Sequence, residues 1–392
     1  MSKIVRANIT PEIIVWARKY ANVHLDLLSR RVGVSVDQIE MWERGEQQPT
    51  INQLMRLAKV CNVPISLFFL EKPPEDIPLP VNDLRQLYPK IQHDRFSYEL
   101  TSEIRNAERI RKLALEMFSE LEIQPPEFSF KINSNLSSEQ MGLAIRTYLG
   151  INFERQKAWK TSLEAFNEWR RSLEKQNIIV LQATQVDITI MRGFSLSEEL
   201  LPVIVVNRKD AYNGRIFSLI HEFIHIATRT SGLCDFSYEN RIEEHCNRIT
   251  AQVLMPKNEF LKEVYKTITN KGYPSDSEIK SLSKIFSVSK DTILRHLLTY
   301  QFISKSYYQE KQEAYKQELD QMKKNKKASK GFLVKRSATD VISQQGYYYP
   351  SLVMNAYLDR KITEHKAMSM LRIKSKYVDE LIRRLSTNSL VS

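Results

Sequence analysis

Cysteine is scarce in this chain of 392 residues. Only Cys61, Cys234 and Cys246 occur, far apart and odd in number. That excludes a disulfide framework and a four-thiolate zinc site, and it fits a reducing cytoplasm. Long apolar runs are missing as well: no uninterrupted apolar stretch of about 18 residues exists, so no membrane-spanning helix is expected. The opening Met1-Ser2-Lys3-Ile4-Val5-Arg6 has no apolar run behind it that would read as a secretion signal. Acidic residues are in deficit, 46 against 58 Lys and Arg, for a net charge of +12. Such a balance favours a polyanionic partner, with nucleic acid ahead of a membrane surface. What is present, 42% apolar side chains over this length, can bury sizeable cores in two or three domains.

The first seventy residues lack the apolar alternation of strands and show short helical patterns instead. Leu25, Leu28 and Val32 give one apolar face, Gly33 breaks the helix, Ser35 caps the next, and Val36, Ile39 and Trp42 supply its buried side. Helix, glycine turn and second helix make a helix-turn-helix whose second helix would lie in the major groove of double-stranded DNA. Gln38 and Arg44 are the base-reading candidates, because their side chains match adenine and guanine edges. Arg30, Arg31, Gln47 and Asn52 are candidates for phosphates. The alternative is a small helical bundle for protein contacts, with Arg30 and Arg31 on a solvated face. The run Leu28-Ser29-Arg30-Arg31-Val32-Gly33-Val34-Ser35-Val36-Asp37-Gln38-Ile39, then Trp42-Glu43-Arg44-Gly45 and Pro49-Thr50, resembles the DNA-binding domain of the Cro/C1 (XRE-type) repressors. Ser29 stands where that family usually has alanine at the helix crossing. The resemblance implies a five-helix DNA-binding domain and a homodimer reading two half-sites.

A second pattern declares a chemistry. In His221-Glu222-Phe223-Ile224-His225 the two imidazoles lie four residues apart, on one face of a helix, and can reach one zinc ion. Glu222 is placed to act as general base on a zinc-activated water. A catalytic zinc site needs a third protein ligand. On the helix expected around residues 241–249, Ile242, Cys246 and Ile249 share an apolar face, while Glu243 and Asn247 lie on an adjacent one. Glu243 is therefore the third-ligand candidate, and Asn247, one turn on, could orient a ligand from behind. Glu244 and His245 compete but project away and are expected in solvent; Cys246 is expected buried.

The motif from His221 to His225, followed by Glu243-Glu244-His245-Cys246-Asn247 and Val253-Leu254-Met255-Pro256, resembles the ImmA/IrrE zinc metallopeptidases. That family shares the ligand plan of thermolysin-like peptidases. The resemblance implies Zn2+ on His221, His225 and Glu243, with Glu222 as base in peptide hydrolysis. Its members act on XRE-type repressors, which implies a regulatory protein as substrate, either a separate repressor or this chain's own first domain, in response to stress or a phage or mobile-element signal.

The expected fold is mostly α with a small β-sheet (α+β). It comprises an XRE-type helix-turn-helix domain at 1–72 and a proline-rich linker with connecting helices at 73–130. A zincin-like peptidase core follows at 131–265, a second helix-turn-helix-like segment at 266–304, and a charged linker with a small helical end domain at 305–392. The β-branched runs Ile178–Leu181 and Val203–Asn207 read as strands, the latter as an edge strand that would align an extended substrate. Trp159 and Trp169 are expected in the core, and His296 at the surface or partly buried. Lys323-Lys324-Asn325-Lys326-Lys327 reads as solvated, or as a contact to DNA phosphates. Two functions stay open at this level: a cytoplasmic DNA-binding regulator with an active zinc endopeptidase, and a transcription factor whose peptidase-like domain senses without cutting.

Overall fold

The computed structural model describes residues 6–75, 97–133, 135–228, 239–325 and 337–387. Cys234 and most of the proline-rich connector lie outside these residues, as do Lys326 and Lys327. The chain divides into two compact units, residues 1–110 with 185–191, and residues 111–184 with 192–392. Among the described residues no helix is long and apolar enough to cross a membrane.

In the first unit four helices, α1 (Pro11–Tyr20), α2 (Leu25–Val32), α3 (Val36–Glu43) and α4 (Ile51–Cys61), precede a 3₁₀ turn at Ile65–Phe69, the fifth helical element of the domain. Their boundaries follow local chemistry. Gly33, at φ 80°, ends α2 in the left-handed region that an L side chain adopts at a cost. Ser35 accepts the Gln38 amide at 3.2 Å and starts α3. Thr50 and Gln53 close a capping box on α4. Leu28, Val32, Ile39, Trp42, Leu54 and Leu57 are buried together. The start of α5 (Tyr98–Glu120) joins this unit: Tyr98 donates to the Val60 carbonyl at 2.9 Å.

The second unit contains α6 (Ser138–Tyr148), α7 (Phe153–Lys157) and α8 (Ser162–Glu174), then β1 (Ile179–Ala183), β2 (Gly193–Leu196) and β3 (Val203–Asn207). The sheet order is β1-β3-β2, with β1 parallel and β2 antiparallel to β3. Val203–Asn207 is thus the central strand, paired on both sides, and not the edge strand its sequence suggested. All five of its residues are buried, as their β-branched character requires of a strand covered on both faces. The edge next to the helix that follows is β2. Trp159 and Trp169 sit in the core, 5.8 Å apart edge to face.

Helix α9 (Tyr212–Thr228) packs on β2, β3 and α8, and α10 (Glu239–Leu254) packs on α9 and α6. Beyond them α11 (Lys257–Thr267), α12 (Asp276–Phe286), α13 (Lys290–Thr299) and α14 (Lys305–Asn325) extend the same core through Phe260, Phe286, Ile293 and Leu297. His296 is buried here, against expectation, with Nε2 3.3 Å from the Met255 carbonyl; burial pushes its imidazole down to about 4. Its neighbours on α13 put it on the inner face, which the sequence pattern around it did not mark.

The chain ends in α15 (Ala338–Gln345), α16 (Tyr348–Leu358), α17 (Glu364–Leu371), a 3₁₀ turn at Ser375–Tyr377, and α18 (Val378–Ser386). Helix α15 lies against β1. The buried Arg170 of α8 donates from Nη1 to the carbonyls of Ile342 and Ser343, at 3.1 and 2.9 Å. Glu174, also on α8, accepts the Tyr347 amide at 3.0 Å. Gly346, at φ 78°, lets the backbone run against Glu174, since a Cβ there would overlap the carboxylate.

Candidate metal centre and nucleic-acid interface

Helix α9 presents His221, Glu222 and His225 because its core-facing side is apolar. Leu219, Ile220, Phe223, Ile224 and Ile226 are all buried, and Phe223 stacks among Phe128, Phe130 and Tyr148. This anchoring fixes the roll of the helix and so aims the two imidazoles. Their Nε2 atoms lie 3.0 Å apart.

Glu243 comes in from α10 and meets both. Its carboxylate oxygens stand 3.2 Å from His221 Nε2 and 3.1 Å from His225 Nε2. Burial opposes ionisation of Glu243, but the hydrogen bonds from His221 and His225 outweigh it and hold its carboxyl at about 2. These three residues could hold a metal ion. Donors bound to a tetrahedral zinc at 2.0–2.2 Å would stand roughly 3.3 Å from one another, so the set fits such an ion closely. His221 Nδ1 is buried without a hydrogen-bond partner, which leaves the ring oriented by packing and by the groups its Nε2 faces.

Glu222, on the same helix, packs against the sheet while remaining close enough to His221, His225 and Glu243 to feel their charge. Ser195 Oγ on β2 donates to its Oε2 at 3.0 Å. A Cβ on Gly193 would come within 3.2 Å of the same side chain, so the strand approaches Glu222 closely. Burial pushes the Glu222 carboxyl up, while His225, His221 and the Ser195 hydroxyl pull it back. A carboxylate in this setting is poised to exchange a proton. Ser195 and Gly193 were not legible in the sequence, because Gly-Phe-Ser-Leu is too short and too mixed to show strand periodicity.

The competitors fall where the helix turn sends them. Glu244 is exposed, His245 half-buried, and Cys246 buried with its thiol pushed up to about 12 by burial. Asn247 is exposed on α10 one turn beyond Glu243. It lines a groove of about 1580 Å³ together with Phe217, Ser218, Arg248, Arg295 and Tyr300.

In the first unit, the expected DNA contacts part company. Arg30 and Asn52 are exposed, and Gln38 and Gln47 are half-buried. Arg44 lies just past the last turn of α3, where its guanidinium holds Glu46 at 2.8 Å and Glu40 at 3.6 Å. Arg31 stacks 4.6 Å over the Tyr98 ring and reaches Glu99 at 3.4 Å. Both cations are engaged by carboxylates from this same unit, which the linear pattern did not reveal.

Residues 15–68 match the family model described as helix-turn-helix, and residues 160–298 match the peptidase model described as the IrrE N-terminal-like domain. No curated protein matches the chain. The chain therefore joins an XRE-type helix-turn-helix to an ImmA/IrrE-type, metallopeptidase-like domain, and has the make-up of a DNA-binding regulator.

Proposed function

From that pairing we propose that the protein is a cytoplasmic, homodimeric transcriptional regulator that binds double-stranded DNA through residues 1–72 and cleaves a regulatory protein with residues 131–265. The observation that carries the peptidase reading is the convergence of His221, His225 and Glu243, each pair in contact at 3.0–3.2 Å, beside the buried Glu222 carboxylate on the helix of the two histidines. His221, His225 and Glu243 are the residues that would hold Zn2+. When bound there, the ion supplies Lewis acidity toward a scissile carbonyl and toward water.

The remaining work falls to the chain itself. Glu222 takes up a proton as general base and returns it to the leaving amine. Ser195 holds one of its carboxylate oxygens and so fixes the side chain. Among the described residues strand β2 has a ladder partner only in β3, and its outer edge can align an extended polypeptide by main-chain hydrogen bonds. The groove past Phe217 and Asn247 has room for a peptide segment, which favours a protein over a small molecule. The nearest regulatory proteins by type are XRE repressors, including this chain's own first domain.

The test is Glu222→Gln. Zinc content is expected to stay at the wild-type level, while fragments of an XRE-type repressor, read by mass spectrometry, disappear. Fragments produced at the wild-type rate would overturn the peptidase reading. Absence of fragments from the zinc-loaded wild type would favour the sensor reading instead.

A further inference from the structure

Many helices of the chain close on a left-handed residue, but two of these closures, at Ser287 and Arg372, also share the register of buried positions around Gly33. Gly33, Ser287 and Arg372 have φ of 80°, 55° and 53°, each just after a helix. In each case the following amide bonds back to the carbonyl five residues earlier: Val34 to Ser29 at 3.1 Å, Val288 to Ser283 at 3.2 Å, Ile373 to Met368 at 3.0 Å. The buried positions keep one register around that residue. Five before it stand Leu28, Leu282 and Ala367; one before, Val32, Phe286 and Leu371. Six after stand Ile39, Ile293 and Val378; nine after, Trp42, His296 and Leu381. The register is that of a helix-turn-helix, with the connection in α17–α18 running from Arg372 to Tyr377 and including the 3₁₀ turn at Ser375–Tyr377, and on that register α17–α18 reads as a third unit of this type.

The three units differ in what their second helix offers. The outward side of α3 carries Asp37 and Glu40, and its nearest arginine, Arg44, is held by Glu40 and Glu46. Helix α13 is overlaid by α14: Tyr308 bonds Asp291 at 3.1 Å, and Lys290 lies 4.6 Å over Tyr315. What α14 leaves uncovered of that helix lines the groove shared with Phe217 and Asn247. Helix α18 has an open face. Lys374 and Lys376 at its entry and Arg383 two turns on are exposed, and none of them pairs with a carboxylate among the described residues. Of the two acids on the helix, Glu380 is bound by Arg384 at 2.8 Å, which leaves Asp379 as the single opposing charge. A cationic face on the second helix of a helix-turn-helix is complementary to the phosphates flanking a major groove.

We propose that α17–α18 is a second DNA-binding unit, which docks α18 on the backbone of duplex DNA through Lys374, Lys376 and Arg383. A duplex is favoured over a protein partner because the exposed face is cationic and polar, while Val378, Leu381 and Leu385 are buried and Ile382 is half-buried. The contact is to phosphates and does not require a particular sequence.

The experiment uses the full chain and a short fluorescein-labelled duplex of arbitrary sequence, with binding followed by anisotropy between about 50 and 200 mM salt. Lys374→Ala/Lys376→Ala/Arg383→Ala is expected to lower the slope of log affinity against log salt by about 2 to 3 and to weaken binding at least about tenfold. Lys374→Arg/Lys376→Arg/Arg383→Lys should keep both, since only charge is needed. Helical content by circular dichroism should be the same in all three proteins. An unchanged slope in the alanine variant overturns the proposal, as does equal loss in the charge-retaining variant. So does an alanine variant that binds DNA normally but no longer retains a protein partner, which would make this a protein-docking face. Arg30→Ala/Asn52→Ala separates the two DNA readings. If it alone abolishes binding, the present proposal falls and the first domain's role stands; if only the α18 variant does, the reverse holds.

Discussion

At the scale of single residues, the metal-site assignment turns on one carboxylate among three neighbours on α10. Glu243, Glu244 and His245 are successive residues, and each is a chemically suitable ligand, but a helix sends them about 100° apart. Glu243 reaches both imidazoles, while Glu244 is exposed. Glu243→Ala is therefore expected to weaken zinc binding by more than about a hundredfold, beyond the 10–100-fold of an outer-shell change, in competition with a chromophoric chelator. Glu244→Ala should bind like the wild type. Equal losses in the two variants would remove Glu243 from the ligand set. The pair of histidines and the glutamate between them were legible from spacing alone. Ser195 was not, since its link to Glu222 spans a sheet and 27 residues of chain.

At the scale of elements, the same turn is built with three different residues at its left-handed position, and only Gly33 adopts that conformation without cost. An L side chain there costs about 1–2 kcal/mol, partly offset by the extra freedom glycine has when unfolded. Arg372→Gly is thus expected to stabilise the chain by about 0.5 to 1 kcal/mol. Denaturant unfolding would show this as a raised midpoint with unchanged slope; a lowered midpoint would mean that Arg372 makes contacts worth more than the strain. The substitution of glycine by arginine also explains why this third unit was not read from sequence. A helix stop is recognised by glycine and a helix start by serine, and here Arg372 and Lys374 occupy those places. Strand β2 was missed for a related reason: four residues are too few to display alternation. Val203–Asn207 was found as a strand but placed at the wrong position in the sheet, because a run of β-branched residues signals burial and says nothing about neighbours.

At the scale of the whole second unit, the end domain is held to the peptidase-like core by a buried polar knot. Arg170 and Glu174 are both buried, 3.5 Å apart, and together bind the chain between Ile342 and Tyr347. Burial pushes the Glu174 carboxyl up to about 7, against the pull of Arg170 and of the Tyr347 and Tyr348 amides. Its folded pKa lies above that of the unfolded chain, about 4.3, so within that window the folded state holds a proton the unfolded state has released. The contribution is fully present below the unfolded value and is lost as pH rises through 7. Wild-type stability should fall between about pH 5 and 7 relative to Glu174→Gln, in which this group no longer titrates. Parallel pH profiles for the two proteins would show that the pKa of Glu174 is not shifted on folding.

By itself the sequence determined what is set by short spacing and local capping. The two histidines and their glutamate, the first helix-turn-helix with its glycine and serine, the helical fold class and the net positive charge all follow from residues within a turn or two of each other, or from composition. Tertiary structure decided what depends on residues far apart in the chain. It brought Glu243 to both imidazoles and Ser195 to Glu222, put Val203–Asn207 in the middle of the sheet, committed Arg31 and Arg44 to carboxylates, buried His296, and left α18 with an open cationic face. The physical reason is range: a hydrogen-bonded turn is chosen by its own few residues, whereas which faces are covered is settled only when the elements pack.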